Sequence, residues 1–348
     1  MLKHPCGARK SKDAKKDELL SLTKEDLKTK LTKIRKNMGM SVTNIPKLNR
    51  SQLCVAVSPI FTINVKNTMP YDGSNSCFID SALVALFHFY NIWATKHIWS
   101  CNMNNIHRPF PIVQVLAKRI KVSLENMMFP NDLEENKVTK KQRIADKGEL
   151  RKLFTEFDEE YQNAYGTNIG GDVEWESSMN DPIEVLNLFY RVFQIPDDIK
   201  IQYGRAKPIK GTIMSPVIYA HDLKNMGDDI KLWDHIPSND EYKILGASIL
   251  YVNIQRNYNQ EYKIRSKVEP PEYIKLGGKM LKLMSIIIHK GGVNGGHYKC
   301  VIRHNEANTN MWLHFDDMSP KLNFAGHTLR EALTADVLSN LVGLVYSI

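Results

Sequence analysis

A cysteine and a histidine 220 residues apart are the pair in this 348-residue chain best suited to chemistry. Cys77 lies in Asn75-Ser76-Cys77-Phe78-Ile79-Asp80-Ser81, at the start of an apolar run, 78–90, that reads as a buried helix. His297 follows two glycines in Gly295-Gly296-His297-Tyr298 and stands at the head of a strand-like run. A thiol needs a nearby base to be a good nucleophile, and imidazole is the usual one. A helix N-terminus stabilises the thiolate further. The two stretches together read as a thiol hydrolase. Glycines ahead of His297 allow another backbone to come close. Cys54, Cys101 and Cys300 read as small buried hydrophobes, and His289, His304, His314 and His327 as structural.

The residue that orients the imidazole follows from strand parity. Runs 298–303 and 312–315 read as a hairpin around 305–310. In the register that sets His297 opposite Asp316, Tyr298 faces Phe315, Cys300 faces Leu313 and Ile302 faces Met311. Those pairs make one apolar face, and His297 and Asp316 share the other. A one-residue slip would mix the faces. Asp316 is therefore the expected orienter, with Asp317 second.

The elements that must carry these residues come in two blocks. Residues 111–165 read as mainly helical, with a stripe at Val113, Val115, Leu116, Ile120 and Leu124. Residues 182–193 form another helix, with Asp181 as N-cap and Pro182 in the first turn. From about residue 210 onward β-branched residues and alternation dominate: 249–254, 281–289, 298–303, 312–315 and 341–348. Helices first and strands later is an α+β pattern. A helical lobe would supply the cysteine and an antiparallel β lobe the histidine, with the active site between them, which is the papain-like arrangement.

Composition narrows the class. The chain is 43% hydrophobic and 24% charged, ordinary for a globular protein. No run is long and apolar enough for a membrane span, and no signal-peptide core opens the chain. Five irregularly spaced cysteines argue against a disulfide framework, and the absence of C-x-x-C argues against a structural zinc site. An intracellular setting, cytoplasm or nucleus, is expected. The net charge of +9 sits wholly in residues 1–50, which hold 14 Lys+Arg and 5 Asp+Glu, while the remainder balances to zero. Residues 1–19 read as a basic flexible tail. Residues 20–58 read as a small helical basic module: a stripe at Leu27, Leu31 and Ile34 capped by Thr23 and ended at Gly39, then a second helical piece at 48–57. A short strand is expected at 61–65. A catalytic domain over 66–348 follows.

The boxes around the two reactive residues resemble the ubiquitin-specific protease family, the papain-like deubiquitinases. Asn75 to Ser81 is similar to that family's cysteine box. Asn180-Asp181-Pro182-Ile183-Glu184-Val185-Leu186 is similar to its middle box, residues 249–256 to its strand ending in a buried arginine, and residues 287–298 with Trp312, Phe315, Asp316 and Asp317 to its histidine box. Asp80 in the cysteine box and Asp181-Pro182 look closer to the cylindromatosis-type branch. The resemblance implies that Cys77 attacks the carbonyl of a C-terminal Gly-Gly of ubiquitin or a ubiquitin-like modifier. His297 would act as base and Asp316 as orienter, with no metal or organic cofactor. Two departures stand out. Asp72 occupies the place of a family asparagine that donates to the oxyanion, and an ionised carboxylate cannot donate. The oxyanion hole would then rest on backbone N–H groups near Cys77, with Asn75 as helper. The family's paired zinc-binding cysteines are also missing.

The phrase Lys47-Leu48-Asn49-Arg50-Ser51-Gln52-Leu53-Cys54 resembles a SAP-like nucleic-acid-binding module, which makes nucleic acid a candidate partner of residues 20–58. The alternatives to a deubiquitinase are a catalytically inactive ubiquitin-binding scaffold and a nucleic-acid-binding protein with a vestigial hydrolase domain.

Overall fold

The computed structural model describes residues 23–37, 42–50, 52–53, 76–87, 97–98, 101–128, 140–166, 175–176, 180–195, 199–211, 217–218, 220–225, 229–231, 242–258, 261–306, 309–319 and 323–348. The expected strand at 61–65, the helix end at Gly39, and Asp72 and Asn75 lie outside these residues.

The N-terminal helix α1 (Lys24–Asn37) is capped reciprocally, as expected. Thr23 N–H donates to Asp26 Oδ2 at 2.8 Å, and Asp26 N–H donates to Thr23 Oγ1 at 3.2 Å. A second box of the same kind joins Asn49 and Gln52, each backbone N–H donating to the other's side-chain oxygen at 2.9 Å. Leu27, Leu31, Ile45 and Leu53 are buried.

The helical lobe is built from α2 (Cys77–Phe87), α3 (Pro111–Met128), α4 (Lys140–Tyr165) and α5 (Pro182–Val192). The α2 residues whose side chains are described, 77–86, are buried without exception. A helix apolar all round belongs inside a core rather than on a surface. The α5 start is as expected: Asp181 Oδ1 accepts from Ile183 N–H at 3.0 Å, and Pro182 begins the first turn, where no N–H is needed.

The β lobe is an eight-stranded sheet: β1 (Val217–Ile218), β2 (Ile249–Ile254), β3 (Tyr273–Leu276), β4 (Lys279–Gly291), β5 (Gly296–Glu306), β6 (Thr309–Phe315), β7 (Asn323–Gly326) and β8 (Leu341–Ser347). Its order is β7-β6-β5-β4-β8-β2-β1, with β3 pairing β4. All pairings are antiparallel except β1 with β2. Both faces are covered. Ile287, Cys300, Ile302, Leu313 and Phe315 face the helical lobe, while Ile286, Ile288, Val301, Trp312 and Leu344 fill a second core behind the sheet. Arg256 closes that second core by donating to the carbonyls of Leu341 (2.6 Å), Ile264 (3.1 Å), Ser266 (2.8 Å) and Leu338 (2.9 Å). The arginine expected at the end of β2 is thus a buried clamp on backbone oxygens.

The β5–β6 hairpin corrects one expectation. Cys300 pairs with Phe315, Ile302 with Leu313 and His304 with Met311, so the register lies two residues from the one that set His297 opposite Asp316. A shift of two keeps every side chain on its face, so the apolar grouping survives. The face opposite is not polar, however, since Val301 and Trp312 are buried on it.

Candidate active site

Cys77 is the first residue of α2 and is buried. Three contacts fix that helix. Ser285 of β4 donates its hydroxyl to Ala85 O at 2.9 Å near the far end. Phe78 stacks on Trp175 with ring centroids 6.2 Å apart. Lys147 of α4 meets Asp80 Oδ2 at 2.7 Å, and Ser76 Oγ donates to the same oxygen at 3.2 Å. The residue just before the thiol and the helix α4 are therefore tied through one carboxylate.

His297 is the second residue of β5. Gly296 before it leaves no room for a side chain: a Cβ there would collide with Lys290 O and the His289 ring. That confirms the reading of a glycine imposed by close approach, while Gly295 faces open space. His289 packs its ring on Tyr298 at 4.6 Å between centroids and receives Lys263 Nζ on Nδ1 at 3.1 Å. Burial and the nearby Lys263 and Arg265 cations press its pKa down to about 4, so the ring is neutral.

The His297 Nε2 faces two carboxylates. Asp316 Oδ1 is hydrogen-bonded to it at 2.8 Å, and Asp317 Oδ1 lies 3.2 Å away. Neither oxygen of Asp317 makes a well-aligned hydrogen bond among the described residues, although that side chain is almost wholly enclosed. Asp317 therefore acts on the ring by charge rather than along its N–H. Parity alone does not place both acids at one nitrogen. Strand β6 ends at Phe315, and the chain then turns, with Ser319 N–H donating to Asp316 O at 2.9 Å and Met318 N–H to Asp316 Oδ1 at 3.1 Å. Past the strand end the alternation rule no longer applies.

Cys77 lies near the same imidazole and is among the groups that raise its pKa. With Nε2 engaged by the carboxylates, Nδ1 is the nitrogen left for the thiol. Partial burial works against a charged ring, and the neighbouring Asp316, Asp317 and Cys77 more than reverse it, lifting the His297 pKa to about 11. Asp316 shows the matching response. Burial opposes its ionisation, but His297 and Lys299 hold its carboxyl below the usual range. Lys299 forms an ion pair with the second oxygen, Asp316 Oδ2. His297, Asp316 and Asp317 also present three ligand-type atoms within 4.8 Å of one another, the one such group among the described residues able to hold a metal.

A cavity of about 290 Å³ opens next to this cluster, lined by Asp181, Asn253, Gln255, Asn257, Lys263, His289 and Tyr298. Burial raises the Asp181 pKa to about 6, against the pull of Ile183 N–H and with the push of Glu184. Of the residues singled out in the sequence, Cys77, His297, Asp316 and Asp317 come together here. Asn75 lies outside the described residues. Lys299 and Lys147 were not foreseen. The signal for Lys299 was a lone charge inside the apolar run 298–302; Lys147 had none.

Comparison with known proteins gives the arrangement a lineage. A family model described as Ubiquitin carboxyl-terminal hydrolase matches residues 65–322, most of the chain. No curated protein matches it in sequence. Among solved structures, a variant SAGA DUB module of Ubp8, Sgf11, Sus1 and Sgf73 aligns at 15% identity over 88% of this chain and 74% of that one, with a TM-score of 0.50. The same module bound to ubiquitin aldehyde aligns at 17% identity over 81% and 70%, with a TM-score of 0.48. A yeast SAGA DUB module with a mutant Sgf73 aligns at 16% identity over 81% and 67%, with a TM-score of 0.46. The match at a TM-score of 0.50 bears on the fold alone, whereas the family model spans both the cysteine and the histidine boxes: this chain belongs to the ubiquitin carboxyl-terminal hydrolase family.

Proposed function

We propose that Cys77 is the nucleophile, His297 the base and Asp316 the orienter of a thiol-dependent deubiquitinase that cuts after the C-terminal Gly-Gly of ubiquitin or a ubiquitin-like modifier. The observation that carries this is one imidazole held by Asp316 at 2.8 Å and brought near a cysteine that begins a buried helix, both of which raise its pKa. His297 takes the thiol proton. The thiolate attacks the terminal glycine carbonyl, the C–N bond breaks, and the amine leaves with the proton from His297. Cys77 is one of the groups that raise the His297 pKa. Its negative charge disappears as the thioester forms, which loosens the proton when the leaving amine needs it. Water then hydrolyses the thioester with His297 again as base. Asp317 adds charge behind the imidazolium. The oxyanion hole draws on backbone N–H groups at the start of α2, with Asn75 in support.

The cavity beside Tyr298, lined by Asp181, Asn253 and His289, is where an extended Gly-Gly segment would lie. Asp80 and Asp181-Pro182 favour the cylindromatosis-type branch of the ubiquitin-specific proteases. We assign residues 66–348 to the catalytic domain and residues 20–58 to a separate basic module, with an intracellular setting for both. Among the described residues no helix is long and apolar enough to cross a membrane. The test is incubation with a ubiquitin C-terminal electrophile probe. Wild type labels and Cys77→Ala does not; an unlabelled wild type would favour an inactive ubiquitin-binding scaffold.

A further inference from the structure

Two carboxylates stand within reach of one imidazole nitrogen, and only one of them can lie on the line of its N–H. Asp317 is the more enclosed of the two and has no competing hydrogen-bond partner among the described residues. On burial alone it should take the N–H. Asp316 takes it instead, at 2.8 Å against 3.2 Å. The difference between them is what else holds each acid. Asp316 Oδ1 accepts from Met318 N–H, and Asp316 Oδ2 is paired with the Lys299 ammonium. Lys299 is placed for this by the hairpin register. Lys299 lies on the same face of β5 as His297, one step before Cys300, whose ladder partner Phe315 immediately precedes Asp316. Both partners of the ion pair are mostly shielded, at 19% and 13% exposure, so solvent screens it less than a surface pair.

We propose that Lys299 is a positioning residue of this site: by tethering the second oxygen of Asp316 it selects Asp316 over Asp317 as the acceptor of the His297 N–H. The inference rests on the deubiquitinase reading of Cys77 and His297. A second effect follows from the same geometry. Two adjacent carboxylates repel each other when ionised, and the Lys299 cation offsets that repulsion on the side away from the imidazole. Lys299 touches neither substrate nor thiol in this account, and works only through Asp316.

A double-mutant cycle on a fluorogenic ubiquitin substrate tests this. In the wild-type background Asp316→Asn lowers kcat more than Asp317→Asn does. Lys299→Met alone lowers kcat and leaves KM unchanged, and the cycle with Asp316→Asn departs from additivity by about ten-fold, within the range found for residues of one hydrogen-bonded network. In the Lys299→Met background the two aspartate substitutions become nearly equal in cost, because the N–H is then free to turn to Asp317. Lys299→Arg keeps the cation and retains the wild-type ordering. Thermal melts of each variant confirm that a folded protein is being compared. If Asp316→Asn costs the same factor with and without Lys299, the two residues act independently and the proposal is overturned. Failure of the underlying deubiquitinase reading looks different: wild type itself is then inactive on substrate and unlabelled by the electrophile probe.

Discussion

Lys147 Nζ stands 2.7 Å from Asp80 Oδ2, and neither side chain has any exposed surface. The pair ties the middle of the helical lobe to the helix that begins with Cys77. Taking one partner from a buried ion pair strands the other charge and costs about 3–5 kcal/mol, while replacing both by groups of similar volume is often close to neutral. Lys147→Met and Asp80→Asn should each lower the urea midpoint steeply, and the double variant should recover most of the loss. Equal losses that simply add would show that the two side chains do not act as a pair.

The thiol assignment makes a sharp contrast among the cysteines. Cys77→Ala should abolish hydrolysis and probe labelling with little change in thermal stability, since one small residue at a helix end replaces another. Cys101→Ala and Cys300→Ala should keep activity. Burial pushes the thiols of both up, so neither is poised as a thiolate. His297→Ala should cost about 10²–10⁴-fold, the worth of a general base. Labelling that persists in Cys77→Ala would move the nucleophile elsewhere.

Much of this site was legible because its chemistry is local. A cysteine at the head of an apolar run and a histidine after Gly-Gly can each be read within a few residues, and so can the Asp181-Pro182 helix start. Relations across the fold were harder. The β5–β6 register depends on where the hairpin turns, and the stretch between Arg303 and Met311 carries no Asn-Gly or Asp-Gly signal to fix it. Parity survived because the slip was two residues. The convergence of Asp316 and Asp317 on one nitrogen needed the turn after Phe315, which no alternation pattern reports. Lys147 sits in a charged stretch that reads as a solvated face, and only tertiary packing makes it core.

His289 gives the protein an acid-side sensitivity. Its pKa is depressed from 6.5 to about 4 in the fold by burial and by Lys263 and Arg265. A base whose folded pKa is lowered contributes stability that is present above its unfolded pKa and lost as pH falls through the folded one. Stability from this residue should therefore be intact above about pH 6.5 and decline toward pH 4. His289→Phe, which keeps a ring against Tyr298, should show a shallower fall in melting temperature over that window. Identical slopes for variant and wild type would mean that other groups govern the acid limb.

His297 works in the opposite direction. Its folded pKa is raised to about 11, so its contribution is full below pH 6.5 and lost as pH rises toward 11. Wild type should lose stability across that window as pH rises. His297→Gln, which cannot carry the charge, should be flatter there; a variant that falls as steeply as wild type would place the alkaline loss in other groups.

The basic N-terminus can be tested apart from the chemistry. Residues 1–50 hold all the excess charge, +9, and none of the catalytic boxes. Lys24, Lys33 and Lys36 of α1 are exposed, while Leu27 and Leu31 turn inward. The segment thus presents lysines around a small apolar centre, which suits phosphate contacts. Deleting residues 1–58 should leave hydrolysis of a small ubiquitin substrate intact. The whole chain should bind duplex DNA or RNA weakly, with affinity falling steeply as salt rises, because each phosphate contact releases counterions. Gel-shift titrations at two salt concentrations, with and without residues 1–58, read this directly. Binding that depends on the segment and weakens with salt supports a nucleic-acid module. Equal binding by both proteins, or none by either, assigns the lysines to a protein partner or to a solvated tail.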